Sequence, residues 1–131
     1  MGYRSDVKYV IALPDQTTYS KFLGEVMLRM ADKPDLADIP KAFDVTVETP
    51  DNSPHYQYII RVHWEDVKWY PDYDWVQAQT DLFILAEEYD GAWFFARLGE
   101  NDDDYQTNYN DESGYYNVHD FIELHRVTKF I

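Results

Sequence analysis

Two sets of side chains in this sequence could do chemistry near neutral pH. His63 stands beside Glu65 and Asp66, and His119 beside Asp120, Glu123 and His125, so an imidazole and a carboxylate recur within a few residues of each other. Such neighbours can move a proton or ligate a metal, because histidine titrates near neutrality and a carboxylate fixes its tautomer. On a strand Glu123 and His125 share one face, with His119 and Asp120 at its entrance. The chemistry they would support is a divalent-metal-dependent hydrolysis. No HExxH, phosphate-binding glycine loop, paired zinc motif or serine-nucleophile elbow accompanies them. The second set, Asp102, Asp104, Asn108, Asn110, Asp111 and Glu112, offers hard oxygen ligands for calcium or magnesium. Its spacing departs from the EF-hand loop, since Gly114 arrives too late for the central turn. The expectation is a protein that is not an enzyme, with no catalytic residue, metal or cofactor.

Charge carries more information than these motifs. The formal net charge is -14 and cysteine is absent, which removes disulfides and thiolate chemistry. From Asp72 through Glu123 there are fourteen acidic residues and one lysine or arginine, Arg97. Such a field repels nucleic acid and anionic membrane, and it attracts a basic protein. Glu87, Glu88 and Asp90 close a helical pattern at the end where carboxylates oppose the helix dipole, a local cost that a functional surface would explain. Glu100, Asp102, Asp103, Asp104, Asp111 and Glu112 follow, with Tyr105, Tyr109, Tyr115 and Tyr116 among them. Together these residues are expected to form a continuous partner-binding surface that resembles a run of phosphates.

The elements that position them can be read from periodicity. Asp6 to Leu13 is apolar on both faces, as an interior strand requires. Asp15 can cap a helix in which Tyr19, Phe22, Leu23, Val26, Met27 and Met30 recur at helical spacing, weakened by Gly24. Asp32 to Lys41 reads as a connector, and Phe43, Val45 and Val47 alternate as a half-buried strand. After the turn TPDNSPH, Tyr56, Tyr58, Ile60, Val62 and Trp64 repeat with period two. Asp74 and Gln77 can form a reciprocal cap on a helix from about Trp75 to Tyr89. Ala92 to Leu98 is a further strand, 99–120 reads as an acidic surface loop, and Phe121 to Ile131 as a final strand bulged near Arg126.

Strand, helix, strand, strand, helix, strand, then a final strand, is the order of a ferredoxin-like split βαβ fold with a carboxyl-terminal addition. The expected architecture is therefore a single α+β domain over 1–131, with an antiparallel sheet and two helices on one face. Tyr56, Tyr58, Trp64, Trp93 and Phe95 would then expose rings on the opposite face, a surface suited to a homodimer. The segments GYRSDVKYVI and VKWYPDYDWVQA resemble parts of small proteins encoded by tailed bacteriophages, some of which open with a similar Gly-Tyr-Arg-Ser-Asp-Val. The resemblance implies a phage accessory protein acting on a host component, and together with the acidic field it gives the expected function: binding and inhibition of a basic, nucleic-acid-binding protein in the host cytoplasm, for host takeover or anti-defence. A structural or homo-oligomeric phage protein without inhibitory activity is one alternative, and a divalent-metal-dependent hydrolase is the other. The amino terminus lacks the apolar stretch of a signal peptide, and no segment is long and apolar enough to span a bilayer.

Overall fold

The computed structural model describes residues 3–48, 57–101, 104–110, 122–123 and 129–130. Its centre is β1 (Ser5–Leu13), buried at every position except Asp6. A strand buried on both faces must have neighbours on both edges and cover on both sides. Strand β3 (Gln57–Val67) pairs antiparallel on one edge, with Tyr9 opposite Val62, and β4 (Ala92–Gly99) pairs antiparallel on the other, with Tyr9 opposite Phe95. The short β2 (Asp44–Glu48) flanks β3, and β5 (Tyr105–Tyr109) flanks β4, so the five-stranded antiparallel sheet has the order β2-β3-β1-β4-β5.

Helix α1 (Gln16–Met30) starts where sequence predicts, with the Asp15 carboxylate accepting from the Thr18 N–H at 2.7 Å. It buries Phe22, Val26 and Met30. Helix α3 (Asp74–Glu88) begins one residue earlier than expected and lacks the predicted cap. Tyr73 is its N-cap and makes no side-chain bond, while the Gln77 amide donates to the Pro71 carbonyl at 3.2 Å. The expected connector contains one helical turn, α2 (Asp38–Lys41), whose Ile39 is fully buried. A single apolar residue between Asp38 and Pro40 gives too little periodicity to reveal an element that tertiary contact holds.

Residues in register across antiparallel strands share a face. Val7, Tyr9, Ile11 and Leu13 therefore join Ile60, Val62, Trp93 and Phe95 under the helices, and these close into the main core with Phe22, Val26, Leu82 and Phe83. This overturns the expected exposure of the aromatic face. Trp64, Trp93 and Phe95 lie beneath the helices, and Tyr58 stacks on Tyr19 of α1 at 4.9 Å. Tyr56 is outside the described residues. Alternation alone shows that these rings share a face, but not which face the helices choose.

On the opposite face Val10, Ala12, Ile59, Phe94 and Ala96 form a second buried cluster. Strand β6 (Ile122–Glu123) touches β1, whose two edges are already occupied and whose other face is taken by the helices, so β6 approaches from this side. It pairs antiparallel with β7 (Lys129–Phe130), which one continuous strand over 121–131 could not do. The segment read as an acidic loop likewise contains β5, hydrogen-bonded to β4. No helix among the described residues is long and apolar enough to cross a membrane.

Candidate functional site

Two helices cover the sheet on one side while the sheet is five strands wide. Beyond α3, the face of β5 that carries Gln106 and Asn108 has no helix above it among the described residues, and a cleft of about 570 Å³ opens there. Its floor comes from β4, where Trp93 and Phe95 point up beside Asn108 and Arg97 beside Gln106. One wall is the α3 stripe Val76, Thr80, Phe83 and Ile84, set by helical spacing. Trp69, Tyr70 and Pro71, from the segment leading into α3, close one end together with Tyr3. The rings brace one another: Trp93 stacks on Phe83 at 4.6 Å, and Phe95 packs against Trp69 and Phe83 at 5.7 and 5.9 Å.

The polar end is a closed network. Arg97 donates to Asp104 Oδ1 at 2.9 Å and Oδ2 at 3.3 Å, to Ser5 Oγ at 3.0 Å, and to Gln106 Oε1 at 3.4 Å. The Tyr3 hydroxyl donates to the same Asp104 carboxylate, and the Asp104 carbonyl accepts from the Gly99 N–H at 2.7 Å. A side chain at Gly99 would occupy the space of that carboxylate and hydroxyl. The Arg97 and Tyr3 hydrogen bonds hold the Asp104 carboxyl below its ordinary range. Between α3 and the strands β1 and β3, Gln79 is fully buried and accepts from both the Tyr9 hydroxyl at 2.7 Å and the Trp64 indole at 2.6 Å. Burial pushes the Tyr9 hydroxyl far up, so it stays a donor at any ordinary pH.

The acidic residues singled out by sequence fall into two groups. Glu87 and Glu88 are exposed at the end of α3, and Asp90 sits in the turn that follows, at φ 59°. Glu87 accepts from the Trp93 indole at 3.0 Å. Glu100 lies beyond the far end of β4 and accepts from the Arg4 backbone N–H at 2.7 Å. Eight strand residues at about 3.3 Å each put the groups roughly 25 Å apart, with the uncharged strand β5 alongside. Tyr105 and Tyr109 are exposed on β5 on the face away from the helices, Tyr109 stacking on Phe94 at 5.9 Å. Asp102, Asp103, Asp111, Glu112, Tyr115 and Tyr116 lie outside the described residues. Of the described members, Glu87, Glu88 and Asp90 thus lie at one end of β4 and Glu100 and Asp104 at the other, with the Asp104 carboxylate bound to Arg97 and Tyr3.

For the histidine set, His63 and Glu65 share a face, 3.6 Å apart, beside Lys8. Burial, and then the Lys8 charge, lower the His63 pKa against the pull of Glu65 and Asp6. Asp66 is instead a backbone feature, at φ 54°, its N–H donating to Asp6 at 2.9 Å. The side chains of His119, Asp120, Glu123 and His125 are outside the described residues. Among the described residues no three acidic or histidine side chains converge as a metal site would require. Sequence missed the cleft, Gln79 and the Tyr3–Asp104–Arg97 network, because each depends on partners far apart along the chain. Comparison with protein-family models, with curated proteins and with solved structures finds no match.

Proposed function

We propose that this protein works by binding rather than by catalysis: an acidic phage accessory protein that occupies the nucleic-acid groove of a basic host protein in the host cytoplasm. The observation that carries this is the disposition of charge. Fourteen acidic residues and one arginine lie between Asp72 and Glu123, and that arginine is 17% exposed and bound to Asp104. Its charge is cancelled internally, which leaves the exposed carboxylates of α3, Asp74, Asp81, Glu87 and Glu88, and those of the turns at either end of β4, Asp90 and Glu100, without another lysine or arginine between Asp72 and Glu123 to offset them. Exposed like charges of this kind steer a basic partner into encounter and set its salt dependence.

The fold that accompanies this reading is a ferredoxin-like split βαβ unit extended at one edge by β5. In its favour are the order β2-β3-β1-β4, antiparallel throughout, and a helix in each of the two crossovers.

Pull-down from host lysate followed by polynucleotide competition tests the function. Recovery of a basic DNA- or RNA-binding protein that polynucleotide displaces is expected, and failure to recover one at any low ionic strength would overturn it. Replacing Glu87, Glu88 and Asp90, or Glu100, Asp102 and Asp103, with amides should slow association and flatten its salt dependence while leaving the fold intact. Asp104 is left out because removing it breaks the Arg97 pair. A homo-oligomer is a second reading, favoured by Leu28 at 80% exposure, Ile84 at 58% and Tyr105 at 68%. Sedimentation as a monomer across the usable concentration range would remove it.

A further inference from the structure

The cleft between α3 and β5 has a chemistry that the acidic exterior does not explain. Its volume of about 570 Å³ falls within the roughly 300–1,000 Å³ of small-ligand sites. Trp69, Phe83, Trp93 and Phe95 line it and hold one another in place, so the rings do not have to be ordered on binding. Anions are disfavoured. The guanidinium in the lining has all three nitrogens engaged with Asp104, Ser5 and Gln106, and the chain around it carries a net charge of -14. Gln106 and Asn108 add amides to the lining, and their oxygens, which already accept from Arg97 Nε at 3.4 Å and the Tyr109 N–H at 3.0 Å, each keep a second lone pair for a donor in the cleft. A positively charged head with hydrocarbon around it meets every feature at once. Aromatic rings attract cations, the amide oxygens can accept from an N–H or solvate a methylated ammonium, and the long-range field concentrates cations.

The geometry points to this cleft as a binding site for an organic cation, an alkylated ammonium or a guanidinium, seated among Trp69, Trp93 and Phe95 with its polar side toward Asn108. The site is separate from the carboxylate surface assigned to a host protein, and it is tested without any partner.

The probes are choline, its uncharged isostere 3,3-dimethylbutan-1-ol, the anion 3,3-dimethylbutanoate, and N-acetylarginine amide, each titrated into the intact protein and followed by the indole and amide resonances of Trp69, Trp93, Gln106 and Asn108. Saturable shifts confined to these residues are expected from choline or the arginine derivative. The isostere should bind about tenfold more weakly, and the anion should not bind. Tighter binding of the arginine derivative assigns the site to a protein side chain, and tighter binding of choline to a free ammonium compound. Two single-lysine variants separate the cleft from the general field. Asn108→Lys places a cation in the lining and should reduce affinity by at least about tenfold. Thr107→Lys makes the same change in net charge on the opposite face of β5 and should leave affinity within about twofold. Equal binding of the isostere, equal loss in both variants, or shifts spread over the acidic surface would each overturn the assignment, as would the absence of saturable shifts.

Discussion

Replacing Gln79 with leucine leaves the Tyr9 hydroxyl and the Trp64 indole N–H without the acceptor they share. Buried donors deprived of a partner cost about 1–3 kcal/mol, so denaturant unfolding of Gln79→Leu should show a loss of that size. Adding Tyr9→Phe should restore part of it by removing one stranded group. Asp104 makes a prediction in pH. Its carboxyl is depressed in the folded protein, so the stability it contributes is present above the ordinary carboxylate range near 3.8 and is lost as pH falls through the lower folded value. Thermal unfolding of Asp104→Asn from neutrality downward should show a lower midpoint at neutral pH and a shallower fall in the acid range. Three aspartates stand together at 102–104, and nothing in their order marks one as structural. Asp104 is distinguished by the β4–β5 register, which brings it under Arg97 and beside a tyrosine about a hundred residues earlier.

At the scale of elements, two glycines should respond in opposite directions. A methyl at Gly24, exposed in α1, would meet nothing within 4 Å. Gly24→Ala should therefore stabilise by about 0.5–1 kcal/mol through helix propensity. At Gly91 a methyl would lie 2.8 Å from the Ala12 carbonyl oxygen and 3.0 Å from that of Ala86, both backbone atoms. Gly91→Ala should destabilise by roughly 1–3 kcal/mol, and the pair can be compared by urea midpoints at equal slope. Elements were legible where burial imposes a pattern. α1 buries one defined face, so its apolar residues recur with its period, while β1 and β4 are buried on both faces and read as nearly continuous apolar runs. β5 was not legible, because YQTNY is exposed at all five positions and no face demands apolar side chains. The β6–β7 pairing was hidden for a related reason: a residue composition suited to strands does not say where a chain reverses.

For the whole molecule, the -14 charge opposes compaction, so added neutral salt should raise the unfolding midpoint. A midpoint that is flat or falling between low salt and about 0.15 M would mean that the carboxylates are compensated locally. The cleft belongs to this scale as well. It arises because the sheet is one strand wider than its helical cover, a mismatch between counts that no local pattern records. Its aromatic lining was visible in the sequence as Trp69, Trp93 and Phe95, yet those residues read equally well as ordinary core, and by burial they largely are.

The central position of β1 also has a consequence for synthesis. Strand β1 is made before both of its neighbours and finds them only when Gln57–Val67 and Ala92–Gly99 have followed, since Ser5 pairs with Val67 on one side and Gly99 on the other. Until then the nascent chain holds a nine-residue strand, continuously apolar from Tyr9 to Leu13, with open edges, the kind of segment that holdase chaperones protect and that pairs with other chains. Folding should be late and nearly all at once, slow for the chain's length because its defining contacts span so much sequence. Nascent chains arrested just before and just after β4 emerges should differ sharply in protease resistance.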